Sequence, residues 1–153
     1  MRWVPPENLH ITSLFLGNVE ENKIADLVKA SEDLVKGFIP FNLTFDQYAL
    51  IPQGNRARMI WARYNEENAF EELMKGLEKM AASVIDLKPD RKKAIPHVTL
   101  CRFKQFRAVR LLDLKGEPMQ KEVEVNSCIL WESQLHSTGA VYTAVQEFFF
   151  SGH

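Results

Sequence analysis

One short pattern occurs twice in this chain and constrains it more than any other feature. Asn8-Leu9-His10-Ile11-Thr12-Ser13-Leu14 returns as Ile95-Pro96-His97-Val98-Thr99-Leu100, so His-apolar-Thr appears in two places 87 positions apart. Each copy reads as a strand. Side chains alternate faces along a strand, so His10 and Thr12 point the same way, roughly 6–7 Å apart, and His97 and Thr99 do likewise. Leu9, Ile11, Val98 and Leu100 are then expected on the reverse face, buried. A single His-x-Thr is a poor signal, because a strand histidine is more often structural; the repetition makes the pair a candidate site. Two imidazoles supply one base and one acid near neutral pH. Two hydroxyls add neutral donors, and the set suits an oxyanion such as a phosphodiester.

The rest of the chain supports a repeat of element order. Gly17-Asn18 reads as a turn, with Asn18 and Glu21 as a helix-starting pair. Ile24, Leu27, Val28, Leu34 and Val35 recur at helical spacing, and Gly37 is placed to end that helix. Ile39, Phe41, Leu43 and Phe45 alternate with polar residues in a strand running toward Leu50. Arg58 to Tyr64 is a second strand, and Phe70, Leu73, Met74, Leu77, Met80, Ala81 and Val84 form the apolar stripe of a helix over 66–85. After the second motif come a short helix around Phe106 and Val109 to Leu112, a strand from Val123 to Trp131, and a last strand over 140–149. The order strand, helix, His-strand, short helix, strand in the back half matches His-strand, helix, strand in the front. This implies an α+β fold, a single domain over 1–153 with two pseudo-symmetric lobes of antiparallel sheet, helices packed outside and one His-x-Thr strand per lobe facing a shared cleft.

At these residues the chain resembles the 2H phosphoesterases, and within them the RNA 2′,3′-cyclic phosphodiesterases once named 2′-5′ RNA ligases. Trp3-Val4-Pro5-Pro6-Glu7-Asn8-Leu9-His10-Ile11-Thr12, leading to Phe15-Leu16-Gly17, is similar to the family's first motif. Pro96-His97-Val98-Thr99-Leu100-Cys101-Arg102 is similar to its second, and Ser133, Leu135 and Gly139-Ala140-Val141-Tyr142 carry a third likeness. The resemblance implies the bilobal fold, His10 and His97 as catalytic acid and base in either order, and Thr12 and Thr99 on the nonbridging phosphate oxygens. It implies no metal and no cofactor, and a 2′-phosphomonoester product. Arg102 resembles a family arginine that binds phosphate, although strict alternation from His97 and Thr99 sets it on the opposite face. Such proteins usually begin with a strand and a helix before the tryptophan. With that unit absent ahead of Arg2-Trp3, the first lobe is expected to expose an unpaired edge, and so to self-associate or to lose stability.

Composition narrows the alternatives. At 153 residues, 46% hydrophobic and 25% charged, the chain is of ordinary globular make-up. It has no apolar run approaching the ~18 residues of a membrane span, and no signal peptide. Cys101 and Cys128 occur without a CxxC or His/Cys cluster, which argues for free thiols, no structural zinc and a cytoplasmic setting. Net charge is −1, yet Lys88, Arg91, Lys92, Lys93, Arg102, Lys104, Arg107 and Arg110 face only Asp90 between 88 and 110, a local +7. That segment brackets the second motif and would draw an anion to it.

Other residues rank lower. Trp3, Trp61 and Phe15 can stack a base at the cleft edge, as aromatic faces do for RNA ends, with core packing the favoured reading for Trp61, and Tyr142 can donate to phosphate or ribose. His136 is expected in an exposed turn and His153 at a loose terminus. Three functions fit: hydrolysis of RNA or nucleotide 2′,3′-cyclic phosphate ends, the reverse joining of such an end to a 5′-hydroxyl as a 2′-5′ ligase, and RNA-end binding without turnover.

Overall fold

The protein is seen in a computed structural model that describes residues 2–53, 56–88, 95–107, 121–137 and 139–152, with 105–107 as backbone only. Its elements are β1 (Arg2–Trp3), a 3-10 turn (Pro6–Asn8), α1 (Glu21–Val35), β2 (Phe41–Ile51), β3 (Ala57–Tyr64), α2 (Asn68–Val84), β4 (His97–Arg107), β5 (Glu122–Val125), β6 (Ser127–His136) and β7 (Gly139–Phe149). The strands form a five-stranded sheet ordered β1-β4-β3-β2-β5 and a two-stranded sheet of β6 and β7, and the pairs β1–β4, β2–β3, β3–β4 and β6–β7 are antiparallel. The chain divides into two compact units, the first holding 1–13, 43–67 and 93–123, the second 14–42, 68–92 and 124–153.

In the first unit, β3 sets the pattern. Ala57, Ile60, Ala62 and Tyr64 are buried, while Met59, Trp61 and Arg63 are half-buried on the other side. Large apolar side chains on the inner side gather Leu50, Ala57, Ile60, Cys101 and Phe103 into one core. Phe45, held by its N–H to the Lys121 carbonyl at 2.7 Å, packs edge-on to Tyr48 and Tyr64. β2 carries the expected alternation as far as Phe45, and its register slips at Asp46.

In the second unit, α1 buries Leu27 and Val35 of its predicted stripe together with the polar Ser31, and α2 buries Phe70, Leu73, Leu77 and Ala81 of the stripe its spacing predicts. Val35, Leu73 and Leu77 close on Phe148 and Phe150. Gly76 lets the helices approach: a Cβ there would stand 3.3 Å from Leu34 Cδ1. The N-cap of α1 is Glu20 rather than Asn18, and it makes no side-chain capping bond. Gly17, at φ +70°, supplies the left-handed turn after the first motif. No helix among the described residues is long and apolar enough to cross a membrane.

Both His-x-Thr motifs fall in the first unit. One expectation changes here. The short helix expected around Phe106 is instead the end of β4, which continues through Arg107 because β3 still pairs there, Ala57 lying opposite Arg107; residues 108–112 lie outside the described ones.

Candidate active site

The site is built on β4 and its neighbours. Directly opposed residues on antiparallel strands share a face. Trp61 opposes Thr99, Arg63 opposes His97 and Met59 opposes Arg102, so these six side chains belong to one face. Ile60 opposes Cys101 and Ala62 opposes Val98 on the reverse, where Ile60 and Cys101 are 4% and 0% exposed. Ile60–Cys101 and Trp61–Thr99 are successive pairs, which leaves Leu100 as an extra residue in β4. A one-residue bulge of this kind re-aims the side chains beyond it. Strict alternation sets Arg102 behind the sheet; the bulge returns it to the side of His97 and Thr99.

The first motif joins the same sheet through one bridge, Ile11 opposite Val98. Ile11 therefore shares the reverse face, and His10 and Thr12, on either side of it, belong to the face of His97 and Thr99. The full strand expected over this copy does not form. Pro6–Asn8 is a 3-10 turn: the N–H of Asn8 donates to the Pro5 carbonyl and that of Leu9 to the Pro6 carbonyl, and among the described residues Ile11 is the one position of this copy bridged to a neighbouring strand. Leu9, expected to be buried, is accordingly 42% exposed, while Ile11, Val98 and Leu100 are half-buried.

The two histidines are held alike. Nδ1–H of His10 donates to the Asn8 carbonyl at 2.7 Å, and Nδ1–H of His97 to the Ile95 carbonyl at 2.8 Å. Each bond fixes the proton on Nδ1 and leaves Nε2 as the atom that can accept or return one. Their surroundings differ. His10 is exposed and His97 half-buried, its ring stacked on the Trp61 indole with centroids 3.6 Å apart and planes 16° off parallel. Trp61 is thus part of the site face and not of the core assigned to it. Burial first, then the charges of Arg102, His10 and Arg63, push the His97 pKa below the ordinary imidazole value, against the bond to Ile95, which raises it. Among the described residues, Arg63 Nε and Trp61 Nε1 are buried with no hydrogen-bond partner. Nη1–H of Arg102 donates to Met59 Sδ at 3.0 Å, a weak acceptor.

The remaining candidates scatter. Trp3 pairs with Cys101, so register sets it on the reverse face, 58% exposed, while its neighbour Arg2 pairs with Arg102 on the face of His97. Phe15 and Tyr142 belong to the second unit; Phe15 is 81% exposed, and Tyr142 lies edge-on to Trp131 at 6.4 Å. Ser133 opposes Tyr142 and Leu135 opposes Ala140 in the β6–β7 hairpin, so the third likeness is one ladder. His136 is exposed at its tip. Of the basic segment, residues 91–93 and 110 lie outside the described ones. Among the described residues no group of three or more His, Cys, Asp or Glu is placed to hold a metal ion. Cys101 and Cys128 are free, with burial pushing the Cys128 thiol up to about 11.

Arg2, Met59 and Arg63 are members of this face that the sequence reading did not single out, and Trp61 is one that it weighed for base stacking and assigned to the core. A signal existed for three of them, since Met59, Trp61 and Arg63 alternate with the small or apolar Ile60 and Ala62. What β3 lies beside was not in the pattern.

Known proteins similar to this chain extend along nearly its whole length. The family described as LigT like phosphoesterase matches residues 1–61. An RNA 2′,3′-cyclic phosphodiesterase of Aquifex aeolicus is 32% identical over 99% of this chain and 82% of its own length. One of Methanothermobacter thermautotrophicus is 30% identical over 97% of this chain and 82% of its own. The crystal structure of TT0787 of Thermus thermophilus superposes with a TM-score of 0.85 at 28% identity, covering 99% of this chain and 82% of that one. E. coli LigT complexed with 3′-AMP shares the fold, at a TM-score of 0.78 and 24% identity over 98% of this chain and 81% of that one. With relatives of that identity along nearly its whole length, the chain belongs to the LigT-like phosphoesterase family.

Proposed function

We propose that this protein hydrolyses RNA or nucleotide 2′,3′-cyclic phosphate ends to 2′-phosphomonoesters, with His97 as general base and His10 as general acid. The observation that carries the reading is the matched pair of Nδ1 bonds, to the Asn8 and Ile95 carbonyls, on one sheet face. Hydrolysis needs a base on the attacking water and an acid on the departing oxygen. Burial and the neighbouring positive charges favour neutral His97, which suits it to take the proton of water through Nε2. The water oxygen bonds to phosphorus, the bond from phosphorus to the 3′ oxygen breaks, and His10, exposed beside the Ile11 bridge, gives that oxygen its proton. Thr12 and Thr99 hydroxyls and the Arg102 guanidinium hold the nonbridging oxygens, where charge builds in the transition state. The names of the relatives support the substrate class.

The test is to incubate a 2′,3′-cyclic nucleotide with the protein and EDTA and to identify the product by phosphorus NMR. A 2′-phosphomonoester is expected. A 3′-phosphomonoester would reverse the leaving group, and tight binding without turnover would leave an RNA-end-binding module instead. Adding RNA with a 5′-hydroxyl in the same assay reads ligation, which uses the same groups with a different acceptor.

A further inference from the structure

The face that carries His97 holds more positive charge than the proposed reaction uses. Arg2 and Arg102 stand directly opposite each other on β1 and β4. Like charges so placed repel. Both side chains are exposed, and among the described residues neither forms an ion pair with a carboxylate. Arg102 spends one N–H on Met59 Sδ. A guanidinium has five N–H donors in a planar fork, so both residues keep donors for an anion. Arg63 adds a third guanidinium to the same face. A 2′,3′-cyclic phosphate bears one negative charge, which Arg102 and the two threonines already meet.

The position of the pair says where the surplus is directed. Arg102 follows Thr99 across the bulge at Leu100, so the arginines lie about one two-residue strand step, roughly 6–7 Å, along β4 from the Thr99 position. We propose that Arg2 and Arg102 form a subsite for a second phosphate, the one on the 5′ side of the terminal nucleotide, which makes an RNA strand end a better ligand than a cyclic mononucleotide. This rests on the hydrolase reading above for the placement of the first phosphate. Arg2 serves the second phosphate, and Arg102 lies between the two.

Titration calorimetry tests this without turnover, so failure of hydrolysis and failure of the subsite are read separately. The probes are adenosine 2′-monophosphate, adenosine 2′,5′-bisphosphate and the dinucleotide ApA ending in a 2′-phosphate. The bisphosphate and the dinucleotide are expected to bind about tenfold tighter than the monophosphate at low salt, as one charge-assisted contact allows. That advantage should shrink as salt rises, because each phosphate contact releases counterions. Arg2→Gln should remove it, while Lys79→Gln, the same charge change on α2, should retain it. Equal affinity for monophosphate and bisphosphate, or an advantage that survives Arg2→Gln, overturns the subsite. A gain for the bisphosphate with none for the dinucleotide overturns the strand-end preference and leaves a terminal 5′-phosphate as the ligand.

Discussion

Replacing Trp61 with leucine should separate positioning of His97 from its chemistry. The indole lies flat against the imidazole, 3.6 Å between centroids, while Nδ1 is tied to Ile95. Those two constraints fix the ring plane, and with it the direction of Nε2. Leucine removes the flat partner. An aromatic stack contributes about 0.5–1.5 kcal/mol beyond the area it buries, which at about 1.4 kcal/mol per decade is roughly two- to tenfold in rate. A ring freed to rotate adds misplacement, and about 1 Å of that can cost 10²-fold. We therefore expect kcat to fall about 10–100-fold while KM changes by less than about threefold. Trp61→Phe keeps a π face and should stay within about threefold of the parent in both. The leucine variant should also lose about 2–4 kcal/mol of stability through the volume left empty, or roughly 4–16 °C in Tm for a chain of this size. Rates should accordingly be measured at 25 °C, after circular dichroism has shown the variant folded. A folded Trp61→Leu protein with unchanged kcat would refute the reasoning, and so would an equal loss in the phenylalanine variant.

The remaining expectations are more direct. His10→Ala and His97→Ala should each lower kcat by about 10²–10⁴-fold, the usual loss for a general acid or base, with much smaller changes in product binding by calorimetry. Exhaustive chelation should leave the turnover of a 2′,3′-cyclic nucleotide intact; loss restored by a divalent ion would count against a reaction run by these side chains alone. Because the folded pKa of His97 is depressed, the acid limb of kcat/KM should lie below the ordinary imidazole value, and Arg63→Met should move it upward by removing a positive neighbour. The same depression means that the unfolded chain takes up the proton first as pH falls, so this contribution to stability is present above about 6.5 and is lost toward the folded pKa, which urea melts across that window would read. Leu73→Ala, at a side chain 1% exposed among Val35, Leu77, Phe148 and Phe150, should cost about 2–5 kcal/mol by denaturant unfolding while leaving kcat near that of the parent.

Much of this protein is set by local pattern. The stripes of α1 and α2 and the alternation in β2 and β3 follow from which side chains recur every 3.6 or every two residues, because that spacing decides which of them can reach a core together. His10, Thr12, His97 and Thr99 were legible for a similar reason: each pair is two residues apart, and the same arrangement is written twice. What the pattern could not carry is register. Arg102 lies five residues after His97, and counting along the strand puts it behind the sheet; only the pairing of β4 with β3 shows that Leu100 is an extra residue that brings it forward. The same pairing makes Trp61 the ring beneath His97, and the pairing with β1 sets Arg2 beside Arg102 while turning Trp3 away. The single bridge at Ile11, and with it the exposure of Leu9, is likewise a matter of how much of the first motif β4 can hold. A strand's own residues determine its two faces, whereas which face meets which neighbour, and where a bulge exchanges them, is decided by hydrogen bonds to residues far away in sequence.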